Sequence, residues 1–534
     1  LPMNRITQAS PAAALQLTVP LLICGSHDNT LDLTQLMRQL DDPAGRQPER
    51  LMSDVFDLVR RSNRIPMEDQ SRALLLDCAG RCQQFLLVQY RAARRQIGMA
   101  ASSNDGQSER LLRLTEELGF GYKRLLLSQI ETFAPVEQQA VTLRGAITAL
   151  SQQFLLCLDL RRARSKSLWG EFHRLFHHAE RIKVENRQFR EVDGAAGTNL
   201  HGLYLRTVLT FAADPYALPA NEHWLLQSYL ARWCSLVRLD PAMQPPSFSQ
   251  SSRMAVDLRG LEIGPLLEQV QQHRFQLAAG EQSVQALGFE AQVSTDQALR
   301  LLDHLLERWT QKRQRGAERH ACQTTVTLTV GFMSIYRCLR GSVTGQQETS
   351  TQLQFDAVME NESDGGAALR LPTDYRGTLP AVGELVLLAK RDGFDPVRPM
   401  LGWVRWQQRS PRGEISFGME YLHSTTQPVE LDQFDGSTLS ASQRPALLLV
   451  RAPGESLPFS LIAQPHIYRS DRTVRLAFVQ RIETQQAVAG RMIARSGSCD
   501  HFQLEGDLDV DSTLPDEVIE IDYDPFPFNL GSLS

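Results

Sequence analysis

Apolar positions along this chain follow two periods, and the change between them falls close to residue 310. From about Leu31 to Leu239 the spacing is helical. Pro66 followed by Met67-Glu68-Asp69 opens a helix, because proline suits the first helical position and acids favour the positive end of the dipole. Behind it Leu75, Cys78, Cys82, Phe85 and Leu86 recur on one helical face. Ala101 to Gly106 is a polar break. After Pro135, the residues Val136, Ala140, Leu143, Ile147, Leu150, Phe154 and Cys157 alternate steps of four and three, the seam of a helical bundle. The seam's partner is expected within the chain, with a homodimer as the other option. A helix from Trp224 to Leu239 leads through Asp240-Pro241 into a Pro-rich linker at Gln244 to Ser247. A strand at Arg253 to Leu258, a helix from Pro265 to Val270 and an amphipathic helix from Asp296 to Trp309 complete this part.

Beyond Arg319 the period drops to two. Thr324 to Val330, Thr351 to Met359, Ala367 to Leu371, Val382 to Leu387, Leu401 to Trp406 and Ile415 to Tyr421 read as strands. Ala446 to Val450, Phe459 to Ile462, Val474 to Val479 and His501 to Leu504 form a second, smaller β unit that could dock on the first. The fold class expected is α+β multidomain: an all-α N-terminal bundle, then a β domain and a second small β domain. The divisions are a helical interaction domain at 1–245, a connector at 246–310, β domains at 311–430 and 431–506, and an acidic tail at 507–534.

Composition narrows the function. At 534 residues the chain exceeds a single core, and 42% hydrophobic with 22% charged residues is ordinary for a globular protein. A net charge of −5 offers no overall basic field to nucleic acid or anionic lipid. Apolar runs fall short of the roughly 18–20 residues that span a bilayer, so membrane insertion is not expected. The opening Leu1-Pro2-Met3-Asn4-Arg5 lacks a secretory pattern. The eight cysteines are scattered without a framework, which suits reduced core thiols. A cytoplasmic protein is expected.

Three constellations invite a metal and are better read otherwise. Cys78 and Cys82 have no second pair, so they belong in a core. His173 and His177 are four apart, but Arg174 stands where a catalytic zinc helix needs glutamate, so surface or interhelical histidines are expected. Asp507-x-Asp509-x-Asp511 has the start of a calcium loop, yet Ser512 and Val518 occupy its glycine and glutamate positions, and a solvated tail is expected. Its end, Asp524-Pro525-Phe526-Pro527-Phe528, has the character of a docking peptide. With no phosphate loop, nucleophile elbow or paired metal motif, no enzyme, metal or cofactor is expected, and the helical half reads as an interaction module.

The remaining signal spans the period change. Arg315 and Arg319 are four apart outside a helix, with Gly316 between them to bend the segment. Strands follow, then Asn361-Glu362-Ser363-Asp364-Gly365-Gly366, a turn of the form Asn-x-Ser-x-x-Gly. Later come Gly402-Trp403-Val404-Arg405-Trp406 and Phe417-Gly418. Neither motif is specific alone; Arg91 and Arg95 share the arginine spacing inside a helix. In this order, from about Gln311 to Leu422, they resemble the PilZ domain. The resemblance implies a small closed β-barrel that binds cyclic di-GMP on its outside, between the arginine segment and the Asn361 turn. It implies ligand contacts at Arg315, Arg319, Asn361, Ser363, Gly365 and Gly366, with Arg313, Gln314 and Trp406 as further candidates.

The chemistry agrees with that assignment. Two phosphates and two guanines call for planar, bidentate arginine forks, short hydrogen-bonding side chains, and glycines that let the backbone come close. Asp364 beside a dianion is expected to point away or to pair with an arginine. The interval from Arg319 to Asn361 is longer than the pattern requires and points to an insertion around Cys338 to Ser350, and Asn361 stands where aspartate is common. The implied protein is a cyclic di-GMP effector that couples nucleotide binding to its helical domain and to a protein partner in motility, adhesion or exopolysaccharide control. The alternative is an adaptor whose barrel no longer binds nucleotide.

Overall fold

The computed structural model describes residues 15–22, 47–97, 105–162, 166–189, 199–219, 222–239, 260–290, 292–310, 318–344, 354–372, 375, 379–390, 399–410, 413–432, 444–450, 459–465, 467–479, 484–496, 498–506, 508 and 510. Chain contacts divide it into two units that meet in sequence at Arg313 and Gln314.

In the helical unit, α1 (Pro48–Ser62), α2 (Asp69–Ile97), α3 (Asp105–Glu131), α4 (Val136–Asp159), α5 (Lys166–Arg181), α6 (Leu200–Ala212) and α7 (Glu222–Trp233) are followed by α8 (Gly264–Ala278) and α9 (Thr295–Thr310). The four-three seam runs along α4. Ala140, Leu143, Ile147, Leu150, Phe154 and Cys157 are buried, while Val136 in the first turn is 41% exposed. The seam's partner includes α3: a Cβ on Gly119 would lie 3.7 Å from Ala149 Cβ, and one on Gly145 would strike the Tyr122 ring at 2.3 Å. Contact this close needs glycine on one side. By length and composition α4 could cross a bilayer, but 72% of its most apolar window is buried inside the unit. A central core helix meets the same criterion.

Buried charges tie this unit together. Lys123 Nζ and Glu171 Oε2 pair at 2.8 Å between α3 and α5, almost fully enclosed. The buried Asp159 accepts from Tyr90 Oη at 3.0 Å and Trp224 Nε1 at 3.2 Å, joining α2, α4 and α7. Cys78 and Cys82 are buried in the core as thiols, not joined in a disulfide. His173 meets Tyr204 Oη at 2.9 Å, and burial pushes its pKa down to about 4. His177 is exposed and faces Glu180 at 2.8 Å. The two histidines therefore serve different partners.

The helix expected to reach Leu239 stops at Trp233. A short 3-10 turn, Cys234–Leu236, follows, and β1 (Arg238–Leu239) pairs with β2 (Leu261–Glu262). The expected strand at Arg253 to Leu258 and linker at Gln244 to Ser247 lie outside the described residues.

The second unit holds two closed barrels. In the first, β3 (His320–Val330), β4 (Gln354–Ser363), β5 (Gly366–Arg370), β6 (Leu385–Lys390), β7 (Met400–Arg409) and β8 (Ile415–Tyr421) close in the order β3-β4-β5-β8-β7-β6. In the second, β9 (Thr425–Asp432), β10 (Arg444–Val450), β11 (Phe459–Ala463), β12 (Thr473–Phe478), β13 (Thr484–Arg495) and β14 (Asp500–Glu505) close as β9-β10-β11-β14-β13-β12. Six added to each strand number of the first barrel gives the second. The two share one strand order.

The second barrel starts at Thr425, not at 431, because β9 closes it by pairing with both β10 and β12. The expected insertion between Arg319 and Asn361 is a helix, α10 (Phe332–Thr344), set between β3 and β4. Its Phe332, Ile335, Tyr336 and Leu339 pack in one cluster with Leu385, Leu387, Leu401 and Trp403 of the first barrel and Leu447, Leu449 and Ile462 of the second. Each barrel keeps a separate apolar interior. The tail's Asp507, Asp509 and residues 511–534 lie outside the described residues.

Candidate ligand-binding face of the first barrel

The alternation of β5 fixes which side chains face outward. Ala367 and Leu369 belong to the barrel interior, so Ala368 between them faces out. Asn361 of β4 pairs with Ala368, and Ser363 with Gly366. On the other side Ala321 of β3 pairs with Asn361. This register brings Arg319, just before β3, beside the turn. Its Nη1 donates to Asn361 Oδ1 at 3.4 Å across 42 residues of sequence. Ser363 Oγ donates to Gly366 O at 3.2 Å, closing the two-residue turn at Asp364 and Gly365. Asp364 is exposed in that turn.

The face continues across β5 onto β8. Ala368 pairs with Gly418, and Gly366 with Glu420. Both glycines are required by the barrel itself. A Cβ on Gly366, at φ +155°, would lie 2.1 Å from Met419 O, and one on Gly418 would lie 1.7 Å from Trp406 Nε1. Gly366 therefore has a structural duty of its own, to let β8 come close. Gly365 has open space where a side chain would stand. Trp406, 8% exposed, covers Gly418, so part of its indole is already in use.

Charge on this face is uneven. Arg370 pairs with Glu360 at 2.8 Å and Arg405 pairs with Glu420. Among the described residues no carboxylate pairs with Arg319, which leaves its guanidinium to Asn361 and solvent. Glu362, whose side chain alternates inward between Asn361 and Ser363, contacts Lys390 Nζ at 2.8 Å and accepts from Tyr421 Oη at 2.9 Å. Glu362 and burial together push the Tyr421 hydroxyl well above its ordinary pKa. Sequence reading did not pick out these three; the inward place of Glu362 in an alternating strand was the available signal.

The structure thus brings together Arg319, Asn361, Ser363 and Gly366, with Gly365 at the turn and Trp406 two strands further along. Arg313, Gln314, Arg315 and Gly316 lie outside the described residues.

An arginine, an asparagine and a serine on the outer face of a six-stranded barrel can supply a cationic donor and short polar hydrogen-bonding groups. Comparison with known proteins adds to this. Residues 34–244 match a family model described as the N-terminal domain of the cyclic-di-GMP receptor FimW. The chain is 23% identical over 475 residues to the cyclic-di-GMP receptor FimW of Pseudomonas aeruginosa, covering 73% of this chain and 76% of that protein. That coverage exceeds the helical half and so extends into the barrels.

Proposed function

We propose that this protein is a cyclic di-GMP receptor that holds the dinucleotide on the outer face of a PilZ-like first barrel. Arg315 and Arg319 grip phosphate or guanine, with Asn361 and Ser363 reading a guanine edge. Gly365 leaves room for the ligand at the turn, and Trp406 with Gly418 forms the floor beyond Ala368. Arg313 and Gln314 extend the arginine segment. The observation that carries this reading is the convergence of Arg319 and Asn361, made by β3–β4 pairing from motifs 42 residues apart. Similarity to a cyclic-di-GMP receptor over most of the chain supports the same ligand.

No catalytic step is assigned. Ligand on Arg315 and Arg319 acts at the segment that links α9 to β3, and a protein partner reads the result through the helical unit, whose counterpart in the matched family model belongs to a receptor. The protein works in the cytoplasm, in keeping with the free thiols of its seven described cysteines. Calorimetric titration of cyclic di-GMP into wild type and Arg315→Ala/Arg319→Ala tests the site. Wild type binds and the double variant loses about a hundredfold or more in affinity. Equal binding by both, or by neither, sinks the proposal.

A further inference from the structure

Glu362 occupies an unusual place for a residue between two proposed ligand contacts. Asn361 and Ser363 face outward, so Glu362 is directed to the barrel mouth, where Lys390 ends β6 and Tyr421 ends β8. Neither strand is a neighbour of β4. In the order β3-β4-β5-β8-β7-β6, β6 lies beyond β3 and β8 lies beyond β5. One carboxylate therefore ties together the ends of strands on both sides of β4.

The backbone ladder alone holds this end weakly. The β3–β4 register shifts between Ala321 and Thr324, and the β4–β5 register shifts between Met359 and Asn361. Such irregularities leave residues unpaired, and here both fall between Met359 and Asn361 of β4, one in the pairing with β3 and one in the pairing with β5. The side-chain bonds of Glu362 are charge-assisted and partly shielded, the kind that hold geometry best. Lys390 also offsets a carboxylate that would otherwise repel a dianionic ligand.

We propose that Glu362 is the positioning residue of the Asn361–Ser363 turn, held by Lys390 and Tyr421 and setting the aim of both outward side chains without touching the ligand. Its effect on affinity rests on the cyclic di-GMP reading above; its effect on the turn does not. The test compares full-length wild type, Glu362→Ala, Glu362→Gln and Tyr421→Phe by hydrogen exchange without ligand and by titration of cyclic di-GMP. Glu362→Ala speeds amide exchange across 359–366 while β10 to β14 stay unchanged, and weakens binding about tenfold. Glu362→Gln keeps an acceptor for Tyr421 and recovers part of both effects, and Tyr421→Phe gives a smaller loss of the same kind. Unchanged exchange at the turn in Glu362→Ala overturns the proposal, as does faster exchange spread evenly over both barrels. If wild type binds no dinucleotide, the functional reading has failed, and turn exchange alone still decides the positioning role.

Discussion

In the first barrel the outward residues of β4 and β5 include Asn361, Ser363 and Ala368. On the corresponding strands of the second barrel, β10 and β11, they include Leu447, Leu449 and Ile462. The strand order is shared, and so is the inward pattern of small and aliphatic residues. Only the outward set differs. Polar and small residues leave the first barrel's Asn361–Gly365 turn partly exposed beside Arg319, over a buried floor of Ala368 and Gly418. Leucine and isoleucine bury the second barrel's face against α10 and the outer side of β6 and β7, at about 1.5–3 kcal/mol for each fully buried side chain. One topology can thus carry a polar turn, the proposed ligand face, or an apolar docking face, and the choice lies in the outward residues.

The sharpest way to break this comparison is to place a charge in the docking face. Leu447→Asp buries a carboxylate among leucines and is expected to cost about 4 kcal/mol or more. Denaturant unfolding followed by circular dichroism measures it, and near-normal stability would show that the face is not committed to docking. A second contrast sets the helical unit against the barrels. Burial lowers His173 to about 4 from an ordinary 6.5, so the unfolded chain takes up the proton first as the solution is acidified. The stabilisation is complete above about pH 6.5, shrinks as pH falls toward about 4, and amounts to about 3 kcal/mol for this group. Unfolding midpoints across that range, with His173→Phe as the less pH-dependent control, measure it.

Within the proposed ligand face, Gly366→Ala and Gly365→Ala separate structural from open glycine. The first drives a Cβ against Met419 O and is expected to cost about 3 kcal/mol. The second stays within about 0.5 kcal/mol. The smallest effect on stability belongs to Arg319→Ala, which leaves the melting temperature within about 2 °C. It weakens cyclic di-GMP about tenfold in calorimetry.

Much of this contrast was legible in the sequence. The run Ala446-Leu447-Leu448-Leu449-Val450 is apolar at every step, the mark of a strand buried on both sides, whereas β8 alternates cleanly. β9 was hidden by Pro428 at its centre. Pro428 lies opposite Leu447 of β10, while β12 pairs with β9 only from Val429 onward, so on the β12 side the missing N–H breaks no ladder. β13 was hidden by Gln485, Gln486 and Gly490. The helix α10 was read only as an insertion, though Phe332, Ile335, Tyr336 and Leu339 follow the helical period. At the site, local motifs named Asn361, Ser363 and Arg319. Glu362, Lys390 and Tyr421 escaped because their meeting depends on barrel closure, which no local spacing records.

The docking of the second barrel has a consequence for how the molecule responds to dose. The chain makes the same strand framework twice but leaves the polar turn of the β4–β5 face exposed in one copy. On the proposed reading, a chain with one such face follows its ligand along a simple hyperbola, because cooperativity needs at least two coupled sites. On that reading, a response steeper than this calls for coupling between chains.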